Sequence, residues 1–264
     1  MMFAIKNIKA NRVNLLMNDL VCGMPSPLSM IGFADAIVRR LNLKPWSASV
    51  FPIYHEVNLS NGRTRAEYKN EGKKFKPAEI PEDLIGHVNM SLLIDIPGFD
   101  ETNRLTNIIE SLKIAGGFIE PGFTVDNVKF DENILNMFPR GYAMIHPQKE
   151  QCITSTGDER TMADVADLLF SPGKRKEKGW FVPIAVGYML LEDPKTVNQR
   201  KGTRNPDIAH VFAEPVMGIA ELVSIRNSTL KKQLQTEDDL KRLFWKWDSR
   251  GKMILAHPAY HFNY

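Results

Sequence analysis

Apolar residues recur along this chain at strand or helix spacing, in blocks separated by Gly- and Pro-rich turns. Phe3, Ile5 and Ile8 open a loose alternation that runs to Val13 and predicts a first strand. After the turn-like Gly23-Met24-Pro25, Ser26 is placed to cap a helix and Pro27 suits its first position. Ile31, Ala34, Val38 and Leu41 then form one helical stripe, with Arg39 and Arg40 in a last turn that suits cations. Residues 46–59 predict a second strand and residues 87–96 a third, which Pro97-Gly98 ends. Asp100 or Thr102 is positioned to cap a second helix carrying Leu105, Ile108, Ile109 and Leu112. Ala115-Gly116-Gly117 is expected to end that helix through a left-handed residue. Phe118 and Ile119 start a fourth strand, and residues 141–145 supply another.

The order β-α-β-β-α-β predicts an α+β chain with a ferredoxin-like core, the arrangement that RNA-recognition motifs share. That core is expected over residues 1–146, with a basic arm near residues 60–80. Residues 147–264 then form a less regular C-terminal α+β extension packed on it as one compact unit. In this second half, residues 162–170 read as a short amphipathic helix. The run Gly-Trp-Phe-Val-Pro-Ile-Ala-Val-Gly-Tyr at 179–188 reads as a strand, and Pro183 places it at an edge or a bulge. Residues 208–223 look helical with a kink at Pro215, residues 237–247 look like a last helix, and residues 252–256 give a closing strand. Phe244, Trp245 and Trp247 are expected to be exposed and to call for a partner.

Composition adds limits. Of 264 residues, 43% are apolar and 25% charged, which are globular values, and the net charge of +3 is too small to indicate nucleic acid by itself. Two cysteines make neither a disulfide framework nor a metal motif. The start lacks the apolar core of a signal peptide and the longest near-apolar run is too short to span a bilayer, so a cytoplasmic protein is expected.

Charge distribution is more informative than its total. Residues 63–76 hold Arg63, Arg65, Lys69, Lys73, Lys74 and Lys76, interleaved with Tyr68 and Phe75. This polar stretch predicts a projecting loop or hairpin; its cations suit phosphates and its aromatics suit bases. Lys174, Arg175, Lys176 and Lys178 stand directly before the 179–188 strand, and residues 195–204 form a second cationic loop with Arg200 and Arg204. The third strand lacks the basic-aromatic signature of an RNA-recognition motif, so any RNA must use loops and the arm.

Catalytic signatures are absent. Six histidines form no paired metal motif, no Gly-x-Ser-x-Gly elbow or phosphate loop occurs, and Asp95, Asp100 and Glu101 are the remaining metal candidates. Neither a metal nor another cofactor is expected. One enzymatic reading stays open, a metal-independent endoribonuclease of the same fold with His55 or His146 as general acid or base. A purely protein-bridging role is a third.

Several blocks together carry a family resemblance. Met24-Pro25-Ser26-Pro27 with Ile31-Gly32-Phe33 and Ala36 to Arg40 resembles the N-terminal block of the Csy-two family. That family provides the Cas-five-type subunit (RAMP superfamily) of type I-F CRISPR surveillance complexes. His55, Ser91-Leu92-Leu93, Leu112 to Gly117, Pro139 to Ala143, Gly179 to Ile184, Gly187-Tyr188, Val197 to Arg204 and Gly218 to Glu221 continue the likeness in order. The chain looks shorter than the familiar member between Tyr142 and Gly179. The resemblance implies a non-catalytic subunit in RNA-guided DNA interference. It would cap the crRNA 5′ handle, pair with the large subunit, abut the first backbone subunit and touch target DNA only indirectly. It also implies a hairpin thumb, which falls on residues 63–76. The expected RNA-contacting residues are Arg63, Arg65, Lys73, Lys74, Lys174, Arg175, Lys176, Arg200 and Arg204 for phosphates. Gly116 and Gly117 would allow close backbone approach, and Trp180 and Tyr188 would stack on bases or pack.

Overall fold

The computed structural model of the chain describes residues 1–16, 22–59, 68–72, 74–77, 85–147, 180–197 and 208–258, with Ala163, Ala166, Leu169 and Thr203. The protein is mixed α/β with strands dominating. Strand β1 (Met2–Asn14) lies between β5 (Ile85–Asp95) on one edge and β7 (Gly117–Ile119) and β8 (Thr124–Val128) on the other. Strand β2 (Ser49–Leu59) pairs β5 on its far side. All these pairings are antiparallel, and β1 reaches β2 only through helix α1 (Pro27–Arg40), leaving β5 between them. As predicted, Ser26 caps α1, accepting the Ser29 N–H at 3.4 Å, and Pro27 follows.

Between β2 and β5 lies a separate hairpin, β3 (Tyr68–Glu71) and β4 (Lys74–Pro77), on the basic arm. Helix α2 (Thr102–Glu110) begins without a side-chain cap, so neither Asp100 nor Thr102 plays that role. It also ends earlier than its sequence suggests, at Ser111. Ala115 and Gly116, both with positive φ, instead form the two-residue turn between β6 (Lys113–Ile114) and β7. Two such residues in a row are what a type I′ hairpin requires. Gly117 has a packing reason of its own: a Cβ there would meet the Asn11 carbonyl oxygen at 2.7 Å.

Beyond β9 (Tyr142–Ile145), the chain adds β10 (Trp180–Leu190), β11 (Ala213–Ser224), β12 (Trp245–Arg250) and β13 (Met253–Pro258) to the same sheet. The sequence reading of 208–223 as a kinked helix is wrong. Ala213–Ser224 is a strand held by β10 on one edge and β9 on the other, and long-range pairing overrides its helix-like spacing. Pro215 sits near its start, opposite Tyr188, where a missing donor is tolerated. The expected last helix is likewise only Glu237–Lys241, closed by a capping box from Thr236 and Asp239. The chain then turns into β12.

The strand order β12-β13-β10-β11-β9-β2-β5-β1 is joined to itself where Trp245 and Lys246 of β12 also pair Val50 and Ser49 of β2. Six strands thereby form a closed circuit. Helix α1 packs against β2, β10, β12 and β13, so the curled sheet wraps it. The sheet is buried on both faces here, which explains why Met2 to Ile5 at the start of β1 is apolar without a break. Phe3 and Ile5 join the core around α1, while Met2 and Ala4 join a second core with Phe51, Leu93 and Phe138. Arg226 clips this second core shut by donating to the carbonyls of Leu135 and Phe138, each at 2.6 Å.

Phe244 and Trp245 are fully buried, so they are core residues and give no sign of a partner surface. Trp245 donates its indole N–H to the Met144 carbonyl at 2.8 Å. Trp247 is half-buried against Trp46. Among the described residues, no helix is long and apolar enough to cross a membrane.

Candidate nucleic-acid interface

The second and tenth strands build an open apolar groove on the described surface. Strand β2 carries a bulge between Tyr54 and Glu56, and the shifted register places Tyr54, Val57 and Leu59 on one face. Tyr142 of β9, Leu222 of β11 and Trp180, Val182 and Ile184 of β10 complete a hollow of about 420 Å³. Trp180 and Tyr142 meet nearly at right angles, with centroids 5.3 Å apart at 84°. They are 46% and 43% exposed, and an edge-on pair of this kind leaves ring faces uncovered.

Polar tips at the base of the groove are already engaged. Tyr54 donates its hydroxyl to the Pro25 carbonyl at 2.7 Å, and burial pushes its pKa up. His55 lies at the bulge, with Nδ1 at 3.0 Å from the Arg140 carbonyl and Nε2 at 2.7 Å from Ser91 Oγ. A carbonyl only accepts, so Nδ1 carries the proton and the Ser91 hydroxyl donates to Nε2. Ser91 Oγ in turn accepts from the Asn7 N–H at the β1 bulge, 3.3 Å away. Burial lowers the pKa of His55, with the Arg140 contact opposing it. His146 is also lowered by burial, against its own contact to the Pro147 carbonyl, and packs 5.7 Å from Trp245. Among the described residues no cluster of His, Cys, Asp or Glu could hold a metal ion. Asp95 is an ion-pair partner: it receives the Met1 amino group and Lys241, each at 3.2 Å.

Residues 143–255 match the family model described as CRISPR-associated protein (Cas_Csy2). No curated protein matches the chain. The Cas_Csy2 match runs from β9 through β13 and contains Trp180, Val182 and Ile184 of the groove together with Tyr188. It supports the CRISPR-associated reading drawn from the sequence blocks.

The sequence-predicted contact residues fall into groups. Arg63, Arg65, Lys73, Lys174, Arg175, Lys176, Arg200 and Arg204 lie outside the described residues, as do residues 148–179 apart from Ala163, Ala166 and Leu169, and with them most of the helix expected over 162–170. Lys74 is exposed and pairs Glu71 across the arm hairpin. Gly116 and Gly117 serve the β6–β7 hairpin and its seat on β1, far in role from a helix end. The anchor points of the cationic stretches are informative. The arm leaves β2 just after Leu59, and the 174–178 cluster enters β10 just before Trp180, so both meet the chain at the groove. The 195–204 loop joins the far ends of β10 and β11. The length of β10 beyond Trp180, about 33 Å of strand, lies between that ring and the start of this connection.

Trp180 and Tyr188 are also separated. Their spacing of eight would put them on one face of a regular strand. However, β10 bulges between Ala185 and Gly187, so Trp180 stands opposite Leu222 and Tyr188 opposite Pro215. The two partners differ by an odd count, so the two rings lie on opposite faces of the hairpin. Tyr188 lines a different hollow, beside Trp46 and Trp247. Pro183 precedes this bulge, and β13 covers β10 only from Gly187 to Met189, so Pro183 sits on a half-open edge. Sequence reasoning missed Tyr142 as a site residue. Its signals were a place in the 141–145 strand and in the Pro139 to Ala143 block, and neither hinted that β9 would neighbour β11 and bring it to Trp180.

Proposed function

We propose that the chain is a non-catalytic guide-RNA-binding subunit of a type I-F CRISPR complex. In this reading it caps the crRNA 5′ handle and bridges the large subunit and the backbone. The observation that carries it is the Cas_Csy2 match over β9 to β13, which takes in the groove strand β10. The strand order β2-β5-β1-β8, all antiparallel with helical crossovers, supports assigning the first half to the ferredoxin-like, RRM-like class of the RAMP proteins. Lys/Arg contacts to phosphates supply affinity, and the arm and the 174–178 cluster supply the cations.

His55 bears on the competing endoribonuclease reading. Both of its ring nitrogens are held by Arg140 and Ser91, which favours a positioning role over proton transfer to a substrate. The test uses the full chain, a repeat-derived single-stranded RNA and a salt titration. Binding without cleavage at excess protein is expected, and replacing Lys174, Arg175 and Lys176 together should weaken binding and flatten its salt dependence. RNA cut by the wild type and spared by His55→Ala or His146→Ala would make the endoribonuclease reading the right one. An absence of RNA binding would leave only a protein-bridging role.

A further inference from the structure

We propose that the groove between β2, β9 and β10 seats a splayed base of the bound RNA, stacked on Trp180 with Tyr142 as its edge-on support. This rests on the RNA-binding reading and assigns it a place. Three observations converge. The hollow of about 420 Å³ falls within the ~300–1,000 Å³ of ordinary ligand sites, and its walls are mostly apolar. Its two large aromatics are nearly half exposed and meet edge to face, which leaves ring surface open to a third flat partner. Its two lips, Leu59 and Trp180, are where two cationic stretches of sequence join the described chain. An anionic backbone held by those stretches would run past the groove with its bases within reach.

The same geometry fixes what kind of recognition is possible. The hydroxyl of Tyr54 and both nitrogens of His55 are spent on protein partners. Glu56 also lines the hollow, and one of its carboxylate oxygens accepts from the Asn58 amide at 2.7 Å. The polar groups of Tyr54 and His55 at the base of the groove are thus engaged within the protein. The exposed ring surface of Trp180 makes stacking the main contribution of the site. Tyr188, on the opposite face of the β10–β11 hairpin, takes no part.

The experiment measures binding of a short fluorescein-labelled oligouridylate, and of its abasic counterpart, to the full chain. Trp180→Ala is expected to weaken oligouridylate binding about tenfold and abasic binding hardly at all, while Trp180→Phe restores it and Tyr188→Ala changes nothing. Photo-crosslinking of the wild-type chain to 5-bromouridine RNA should label Trp180 or Tyr142, a readout independent of how well any variant folds. Equal loss with both oligonucleotides, no loss with either, or a crosslink confined elsewhere overturns the base site while leaving the RNA-binding reading in place. Failure of the wild type to bind either oligonucleotide overturns both.

Discussion

Two aromatic pairs sit at the surface of this protein, and they are built to opposite ends. Trp46 and Trp247 stack face to face, 4.0 Å apart at 16°. The Arg39 guanidinium lies over the Trp46 ring at 5.6 Å. Arg39 is itself held by Asp35 at 2.5 Å, and the same carboxylate accepts the Trp46 N–H at 2.6 Å. That acceptor steadies Trp46 at φ 60, a backbone region a bulky residue enters only when its surroundings hold it there. Trp180 and Tyr142 touch only edge to face, at the mouth of an apolar hollow. The first pair is occupied with its neighbours and fastens β12 to the loop before β2. The second has ring surface to spare. Residue type alone does not separate a fastening pair from a receiving one; the coverage of the ring faces does.

This contrast can be broken experimentally, and the largest effect marks its baseline. Trp245→Ala removes a fully buried indole and its bond to Met144 and should cost about 4 kcal/mol, read from denaturant unfolding. Trp247→Ala strips the stack from Trp46 and should cost about 2 kcal/mol without altering RNA affinity. A drop in RNA affinity from that change would mean the two pairs are not separate in function. Gly116→Ala, at φ +79 with open space around it, should cost about 1 kcal/mol from backbone strain alone and leave RNA binding as it was. Weakened binding there would return the hairpin to the interface. Trp180→Ala should be the mildest for stability, within about 0.5 kcal/mol, because a half-exposed ring contributes little to the core. A melting temperature as depressed as that of Trp247→Ala would place Trp180 with the fastening pair.

Acid provides a further probe of the groove floor. His55 and His146 both titrate below their ordinary value of 6.5 in the fold because they are partly buried. The unfolded chain therefore binds more protons in this range, so stability is fullest above pH 6.5 and declines as the pH falls through it. A melting temperature that stays level from pH 7.5 to 5.5 would contradict the buried placement of both rings. In His55→Asn the decline should be shallower.

The first half of the fold was legible because its patterns are local. Phe3 to Val13, the Ser26 cap and the alternation from Val88 to Ile96 each report on one element and its burial. The second half was misread where distant pairing decided the outcome. Ala213–Ser224 carries helix-like spacing yet is fixed as a strand by β10 and β9, and Trp245 reads as surface until β2 is known to lie beside it. In the site, the arm hairpin and the strand at Trp180 were readable. The division of Trp180 from Tyr188 was not, because a single inserted residue in β10 changes the face and leaves no mark in composition. Tyr142 and the Asn7–Ser91–His55–Arg140 chain were hidden for the same reason, since each joins residues remote in sequence.

The pairing of β12 with β2 carries a consequence for biosynthesis. Ser49 and Val50 emerge from the ribosome well before Lys246 and Trp245, which pair with them from far downstream in the sequence. Chains lengthen at roughly 5–20 residues per second, so the start of β2 waits many seconds for this neighbour. Throughout that interval a nascent chain shows an uncovered strand edge, the kind of surface on which other chains aggregate. Ribosome stalling or truncation before Trp245 should accordingly yield aggregates, and release beyond β13 should rescue solubility.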